Sequence, residues 1–151
     1  VSLILAGKIG SNIASEIGSM KITEQIEALE VMGVNSVSYL VGPKIAAALV
    51  VNPVLYIFSV FIGIIGGILS GLASGVVNYD DYIHGLHFAL LRDYSMIKTL
   101  FFAVIFTSIP AFYGYNVQGG ALEVGKASTK AVVDSSIAIL LVNLILTKIL
   151  L

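Results

Sequence analysis

Long uncharged stretches alternate with short charged segments along this chain. Residues 45–79 contain no Asp, Glu, Lys or Arg, and neither do residues 99–122 or 135–147. A helix needs about 20 apolar residues to cross a bilayer, so these stretches predict membrane-spanning helices. Their apolar residues occupy both odd and even positions. This pattern argues against the strands of a membrane β-barrel, in which apolar and polar residues alternate. We therefore predict an all-α polytopic membrane protein, a single transmembrane domain over residues 1–151. The expected spans are 1–19, 45–77, 99–118 and 131–150.

Composition supports a membrane location. Apolar residues make up 58% of the 151 positions and charged residues 11%, less than half the share typical of a soluble domain. The net charge of −1 argues against nucleic-acid binding, which needs a concentrated basic surface. The chain has no cysteine, which excludes disulfides and Cys-ligated metals. Because the chain opens inside an apolar run, we expect it to be N-terminally truncated.

The polar segments between the spans predict an orientation. Alternation of the spans places 20–44 and 119–134 on one side and the helical connector 79–98 on the other. The first side holds four lysines, against three basic residues on the opposite side. The positive-inside rule therefore weakly favours a cytoplasmic location for 20–44 and 119–134.

Residues 22–33 predict a short amphipathic helix. Ile22, Ile26, Leu29 and Met32 follow helical spacing, with acidic residues on the other faces. Thr23 is the expected N-cap and Gly33 the expected C-terminal stop. Helices that rest on anionic lipid are usually basic, and this one is acidic. We interpret it as a cytoplasmic docking helix for a protein partner, with an ordinary interfacial connector as the alternative.

Small residues recur at intervals of four in two segments. The positions that form these rows are Gly63, Gly67, Gly71 and Gly75, and, in the first segment, Ala6, Gly10, Ala14 and Gly18. Such rows let another helix backbone approach closely. Packing within one protomer and dimerisation both remain open. Pro53 and Pro110 lie within apolar stretches, where each is expected to kink its helix.

Several polar side chains fall within the predicted spans. Lys8, Asn12 and Glu16 share one helix face, where they predict either a structural ion-pair network or the lining of a substrate path. Asn143 stands alone in the last span and is expected to bond a neighbouring helix. His84 and His87 are the only histidines. A metal site there is a remote alternative to a solvated connector helix.

One region is recognisable. AGKIGSNIASEIGSMKITEQIEALEVMGV, followed by YLVGPK, resembles the signature region of the MlaE family of ABC-transporter permeases, and GKASTKAVVDSS resembles the family's GxATTRAVV segment. The resemblance covers the whole chain, which corresponds to the C-terminal portion of longer family members. The positions that match the signature are Gly7, Lys8, Gly10, Glu16, Gly18, Met20, Thr23, Glu24, Gln25, Met32, Val34, Asn35, Pro43 and Lys44.

The resemblance implies a permease that moves phospholipid in the bacterial inner membrane and maintains outer-membrane lipid asymmetry. It implies a homodimer with a cytoplasmic ABC ATPase, a periplasmic MCE-domain protein and a STAS-type accessory subunit as partners. The 22–33 helix would be the ATPase-coupling helix and 79–98 a periplasmic connector. The implied coupling residues are Thr23, Glu24, Gln25, Glu27, Ala28, Leu29, Met32 and Gly33. ATP and Mg²⁺ would belong to the partner, since no Walker motif occurs here.

The chain departs from the family pattern at three positions. Lys8 stands where Arg is usual, which keeps the charge but loses the bidentate fork. Ser36 replaces a common Pro, so we expect a looser turn after the coupling helix. Asn143 replaces an Asp found in some members, which removes a charge. Two other function classes stay open, namely a structural membrane scaffold and an intramembrane metalloenzyme using His84 and His87.

Overall fold

A computed structural model describes residues 1–75, 79–90 and 95–150, and these fold almost entirely into helices. The elements in chain order are α1 (Ser2–Leu5), a π-helical turn (Ala6–Gly10), α2 (Ser11–Ile22), α3 (Gln25–Val31), α4 (Ser36–Ser74), α5 (Tyr79–Leu90), α6 (Ser95–Tyr115) and α7 (Ala121–Leu150). No strand occurs in the described ranges. The predicted all-α membrane fold is thereby confirmed.

Three helices are long and apolar enough to cross a bilayer. These segments are Ser36–Gly71, Ser95–Tyr115 and Ala121–Ile149. The first helical stretch, 2–22, is interrupted by the π-helical turn around Lys8, and π-helical turns inside α-helices often mark functional sites. The division into four spans remains a prediction. Residues 76 and 77 of the predicted 45–77 span, and residues 91–94 of the connector, lie outside the described residues.

Helix α6 lies at the centre of the bundle and packs against α2, α4 and α7. It is the most buried of the three long helices. Its buried side chains include Ala103, Phe106, Thr107 and Ala111, and Phe106 belongs to an apolar cluster that draws on α4 and α7 as well. The other long helices bury little of their surface, so most of their apolar area faces outward, as lipid-facing helices require.

The order of the helices brings polar groups together at two opposite ends of the bundle. One end contains the end of α2, α3, the start of α4 and the junction between α6 and α7. The other end contains the start of α6 and the last turns of α7, where Lys98 contacts Thr147. This arrangement agrees with the alternation of polar segments seen in the sequence.

The small-residue rows serve packing within this chain at three positions. A Cβ at Gly10 would lie 3.0 Å from Pro110 on α6, and one at Gly18 would lie 3.0 Å from Val124 on α7. A Cβ at Gly67 would overlap the hydroxyl of Tyr82 on α5. At Gly63, by contrast, no described atom lies within 4 Å of the Cβ position. The rows are thus only partly filled by intramolecular neighbours.

Candidate functional site

A sharp turn sets helix α3 against the end of α2. Thr23 Oγ1 donates to the carbonyl oxygen of Ser19 at 2.8 Å, so Thr23 closes α2. The predicted N-cap role of Thr23 is wrong, because Glu24 holds the N-cap position of α3. Glu24 has a left-handed backbone with φ 59°, a conformation that costs free energy in a residue other than glycine and is often found at functional sites.

The C-terminal end of α3 follows the prediction. Gly33 has φ +79°, and the N–H of Val34 donates to the carbonyl of Leu29 at 3.1 Å. A left-handed glycine with this backward hydrogen bond is the usual way to end a helix. The helix is therefore bounded by two left-handed residues, Glu24 and Gly33, which fix its direction relative to α2 and α4.

One buried side chain anchors α3 to the bundle. Ile26 is fully buried and packs in an apolar cluster with Ile13 and Ile17 of α2 and Ala111 of α6. Burial of an isoleucine side chain contributes roughly 1.5–3 kcal/mol. Ile26 thus holds the inner face of α3 against both α2 and α6.

A polar cluster fixes the other end of α3. Tyr115 donates its hydroxyl hydrogen to Glu30 Oε1 at 2.8 Å, and Ser36 Oγ donates to the same oxygen at 2.8 Å. Hydrogen bonds from Tyr115 and then Ser36 hold the pKa of the Glu30 carboxyl below its usual value. We call these three residues the Glu30 latch. Ser36 is 1% exposed, so its side chain packs inside the turn that was expected to be looser in the absence of proline.

The remaining predicted coupling residues on and beside α3 differ in their contacts and exposure. Glu27 accepts a hydrogen bond from Lys21 at 2.8 Å, which raises the pKa of the Lys21 ammonium. Leu29 is half-buried. The other predicted coupling residues are all exposed, namely Thr23, Glu24, Gln25, Glu27, Ala28, Met32 and Gly33. Met32 is 68% exposed, and the adjoining Val31 is 89% exposed, so α3 and its end present apolar surface outward.

The three polar residues of the first segment, Lys8, Asn12 and Glu16, do not all meet at one site. Asn12 and Glu16 line a cavity of about 310 Å³ among α2, α4 and α6, and Glu16 pairs with Lys44 of α4 at 2.6 Å. Lys8 is exposed and is not among the residues that line this cavity. The three residues share a helix face, but the structure brings only two of them to one site.

Asn143 lies at the opposite end of the bundle. Lys98 Nζ lies 3.5 Å from Asn143 Oδ1 and donates to Thr147 at 2.7 Å, which joins α6 to α7. Lys98 and Asn143 also line a second cavity of about 420 Å³ together with Tyr56 and Ser59 of α4. This cavity combines a cationic amine with hydroxyl and amide groups, which can bind polar or anionic groups.

Sequence reasoning did not single out Asn52, which is 1% exposed and lines the 310 Å³ cavity. Its signal is a lone amide within an uncharged stretch, the same signal that drew attention to Asn143. The sequence patterns also gave no indication of Gly114, where a Cβ would lie 2.7 Å from the carbonyl oxygen of Ala14. Gly114 belongs to no glycine row, so spacing alone gives no sign of this close approach.

The two histidines of the metal-site alternative lie on α5. Among the residues that the structure describes, no three His, Cys, Asp or Glu side chains come together as metal ligands would. His84 and His87 are both exposed.

Comparison with known proteins gives a consistent result. The family model described as Permease MlaE matches residues 1–149. A probable ABC transporter permease protein of Rickettsia bellii is 39% identical over 150 residues, covering 97% of this chain and 58% of that protein. The intermembrane phospholipid transport system permease protein MlaE of Haemophilus influenzae is 35% identical over 152 residues, covering 98% of this chain and 58% of that protein.

A plant relative extends the comparison. Protein TRIGALACTOSYLDIACYLGLYCEROL 1, chloroplastic, of Arabidopsis thaliana is 31% identical over 151 residues, covering 97% of this chain and 43% of that protein. The chain therefore spans less than two thirds of the length of these curated relatives. The family match over nearly all 151 residues and the three apolar helices lead to one conclusion: the chain belongs to the MlaE permease family of membrane proteins.

Proposed function

We propose that this chain is part of the permease subunit of an ABC transporter that moves phospholipid. In this proposal two permease copies lie in the bacterial inner membrane, a cytoplasmic ATPase binds α3, and a periplasmic MCE-domain protein exchanges lipid on the other side. A STAS-type accessory subunit completes the complex. Its task is the maintenance of outer-membrane lipid asymmetry. ATP and Mg²⁺ are bound by the ATPase, and this chain contributes no catalytic residue.

The anchoring of α3 is the observation that carries the proposal. Its inner face is held by Ile26 and by the Glu30 latch, while Met32 and Val31 are exposed. Exposed apolar side chains at the centre of a polar surface are typical anchors of protein interfaces. A helix that is fixed to the bundle and exposed on its outer face can transmit a partner's movement to the spans.

Charge supports a protein partner over a lipid surface. The exposed part of α3 and its preceding turn carries Glu24 and Gln25, and Lys21 is already bonded to Glu27. An acidic helix is repelled by anionic lipid and favours a basic or mixed groove. An ATP-dependent movement of the partner would then displace α3, because coupling requires different contacts in the two states.

The proposal is tested by Met32→Glu in the full-length permease within its operon-encoded complex. Truncation of an interface anchor typically costs at least 2 kcal/mol of binding, and a buried charge costs more, so we expect the ATPase to be lost on co-purification. Leu122→Glu is the matched control, since Leu122 is 74% exposed at the same end of the bundle but off α3.

Phospholipid transfer is the second readout. ATP-dependent transfer between liposomes should be lost with Met32→Glu and kept with Leu122→Glu. Unchanged ATPase binding and transfer in Met32→Glu would refute the docking role of α3. Transfer that proceeds equally without ATP, or without this subunit, would instead support the structural scaffold as the function.

A further inference from the structure

A basic cavity lies at one end of the bundle, where α6 ends and α7 begins. Its volume is about 350 Å³. Its polar lining includes Lys126 and Lys130 of α7, Tyr113 of α6, and Asn116 and Gln118 of the link between the two helices. Lysines at a membrane surface attract anionic lipids. The charge of this cavity and its depth in the bilayer therefore decide what it can bind.

Lys130 carries a charge that no carboxylate pairs with. In the described ranges of the chain, no ion pair joins Lys130 to an acidic side chain. Its Nζ lies 5.6 Å from the centre of the Tyr113 ring, a contact that orients the ammonium group without cancelling its charge. Asp134, one turn further along α7, accepts the hydroxyl hydrogen of Tyr113 and does not line the cavity. Lys130 is therefore available to an anion.

The second lysine is held only weakly. Lys126 donates to Glu123 at 2.7 Å, but the two side chains are 65% and 46% exposed, and exposed ion pairs of this kind contribute little to stability. Lys126 can therefore turn towards a stronger acceptor. Two lysines and one glutamate give the lining a net charge of +1. The exposed Gln118 adds an amide that can donate to an oxygen of the same ligand.

The length of α7 places the cavity at the level of lipid headgroups. From Lys130 to Ile149, where the membrane-spanning stretch of α7 ends, the helix rises by about 28 Å at 1.5 Å per residue. The hydrocarbon core of a bilayer is about 30 Å thick, so Lys130 lies close to its boundary. Tyr113 lies beside Lys130, and tyrosine is enriched at that boundary in membrane proteins.

An exposed apolar row continues from the two lysines along the same face of α7. Its members follow at intervals of three and four residues, as one helix face requires, and each is more than half exposed: Val133, Ile137, Leu140 and Leu144. Phe112 of α6 lines the cavity and is 64% exposed. A cationic cavity followed by an exposed apolar row matches a lipid, which has a charged headgroup followed by an acyl chain.

We propose that this cavity binds the headgroup of an anionic phospholipid of the surrounding bilayer. Lys130 is the main contact of the phosphate, since a lysine binds phosphate as a point charge, and an acyl chain lies along the apolar row of α7. The inference goes beyond the proposed function, because this lipid is a bound ligand on the outer surface of the bundle and not the transported molecule.

The headgroup preference is tested by photocrosslinking in the full-length transporter complex. Phe112 is replaced by p-benzoylphenylalanine in nanodiscs that contain equal amounts of phosphatidylglycerol and phosphatidylcholine, and mass spectrometry identifies the lipid adducts. The attraction of one lysine for anionic lipid corresponds to about a fivefold preference, so phosphatidylglycerol adducts should exceed phosphatidylcholine adducts about fivefold. Phe61 is the matched control, because it is 63% exposed on α4, and the same label there should show no preference.

The role of the charge is tested with two variants of Lys130 that carry the Phe112 label. Lys130→Gln removes the charge and should reduce the preference at Phe112 to that seen at Phe61. Lys130→Arg keeps the charge and should keep the preference, which separates loss of charge from a general disturbance of the fold. An excess of inorganic phosphate should leave the preference unchanged, because the acyl chain contributes to the binding of the lipid and free phosphate has none.

Several outcomes would overturn the inference. Equal amounts of the two adducts at Phe112, or a preference that persists in Lys130→Gln, would refute the headgroup site. Loss of the preference in inorganic phosphate would mean that the cavity binds phosphate and not lipid, and adducts with the ATPase would mean that a protein covers this surface. ATP-dependent phospholipid transfer is measured on the same samples. Its persistence alongside any of these results would refute the lipid site and leave the proposed transport function intact.

Discussion

Gly114 marks the closest approach of two helices in the bundle. A Cβ at this position would lie 2.7 Å from the carbonyl oxygen of Ala14, 3.2 Å from the Cα of Ala14 and 3.1 Å from the Cβ of Ile17. Two of these three atoms belong to the α2 backbone, and none of them can rotate away. Gly114→Ala therefore requires α2 and α6 to separate by about 0.7 Å to restore ordinary contact.

The expected free-energy change follows from two opposing effects. Overpacking of a tight interface costs about 1–3 kcal/mol, and a backbone clash places this substitution near the upper value. Replacing a helical glycine by alanine returns about 1 kcal/mol through lower backbone entropy in the unfolded chain. We therefore expect Gly114→Ala to lower the free energy of unfolding by about 2 kcal/mol.

Gly63→Ala is the matched control. Gly63 also lies inside a long helix, but no described atom lies within 4 Å of its Cβ position, so only the helix-propensity gain applies. The two variants should differ by about 3 kcal/mol in SDS-induced unfolding of the full-length permease, followed by circular dichroism. Equal stabilities of Gly114→Ala and Gly63→Ala would show that the α2–α6 contact is not tight and refute the reasoning.

Two further predictions concern the Glu30 latch. Tyr115→Phe removes the donor to Glu30, so amide hydrogen exchange in Gln25–Val31 should become roughly two- to tenfold faster, as loss of one exposed hydrogen bond implies; exchange that does not change would mean that Ile26 alone holds α3. The pKa of Glu30 is lowered from 4.5, so its bonds stabilise α3 above that value and are lost as the pH falls through the lowered pKa. Exchange in α3, corrected for intrinsic rates, should therefore be constant from neutral pH to about 5 and rise under stronger acid. The same acid-dependent rise in a Glu30→Gln variant would contradict this assignment.

The sequence predicts the existence of the long helices because their signal, a charge-free run of about 20 residues or more, is local. It does not predict where they begin, since α4 starts at Ser36 and α7 at Ala121, before the predicted spans 45–77 and 131–150. Gly33 was also predictable, since a left-handed helix end favours glycine over any other residue. The amphipathic pattern correctly placed Ile26 and Leu29 on the inner face of α3, but Ile22 belongs to α2 and Met32 is 68% exposed.

Other features depend on which elements meet, and local patterns do not contain that information. Thr23 has the chemistry of a helix cap, but the same hydroxyl can close the preceding helix, as it does here. Ser36 bonds Glu30 and Tyr115, and its proximity to Tyr115 depends on the fold. Gly114 and Asn52 gain their meaning only from atoms of α2 and α6, which are far away in sequence.

The Glu30 latch has a mechanical consequence. It ties α3 to the last residue of α6 and the first residue of α4 at once, so a load applied to α3 is shared between two helices. Such a connection opposes movement of either helix alone, so a force on α3 displaces α4 and α6 together. The left-handed Gly119, with φ +114°, lies outside this connection, in the short link between α6 and α7.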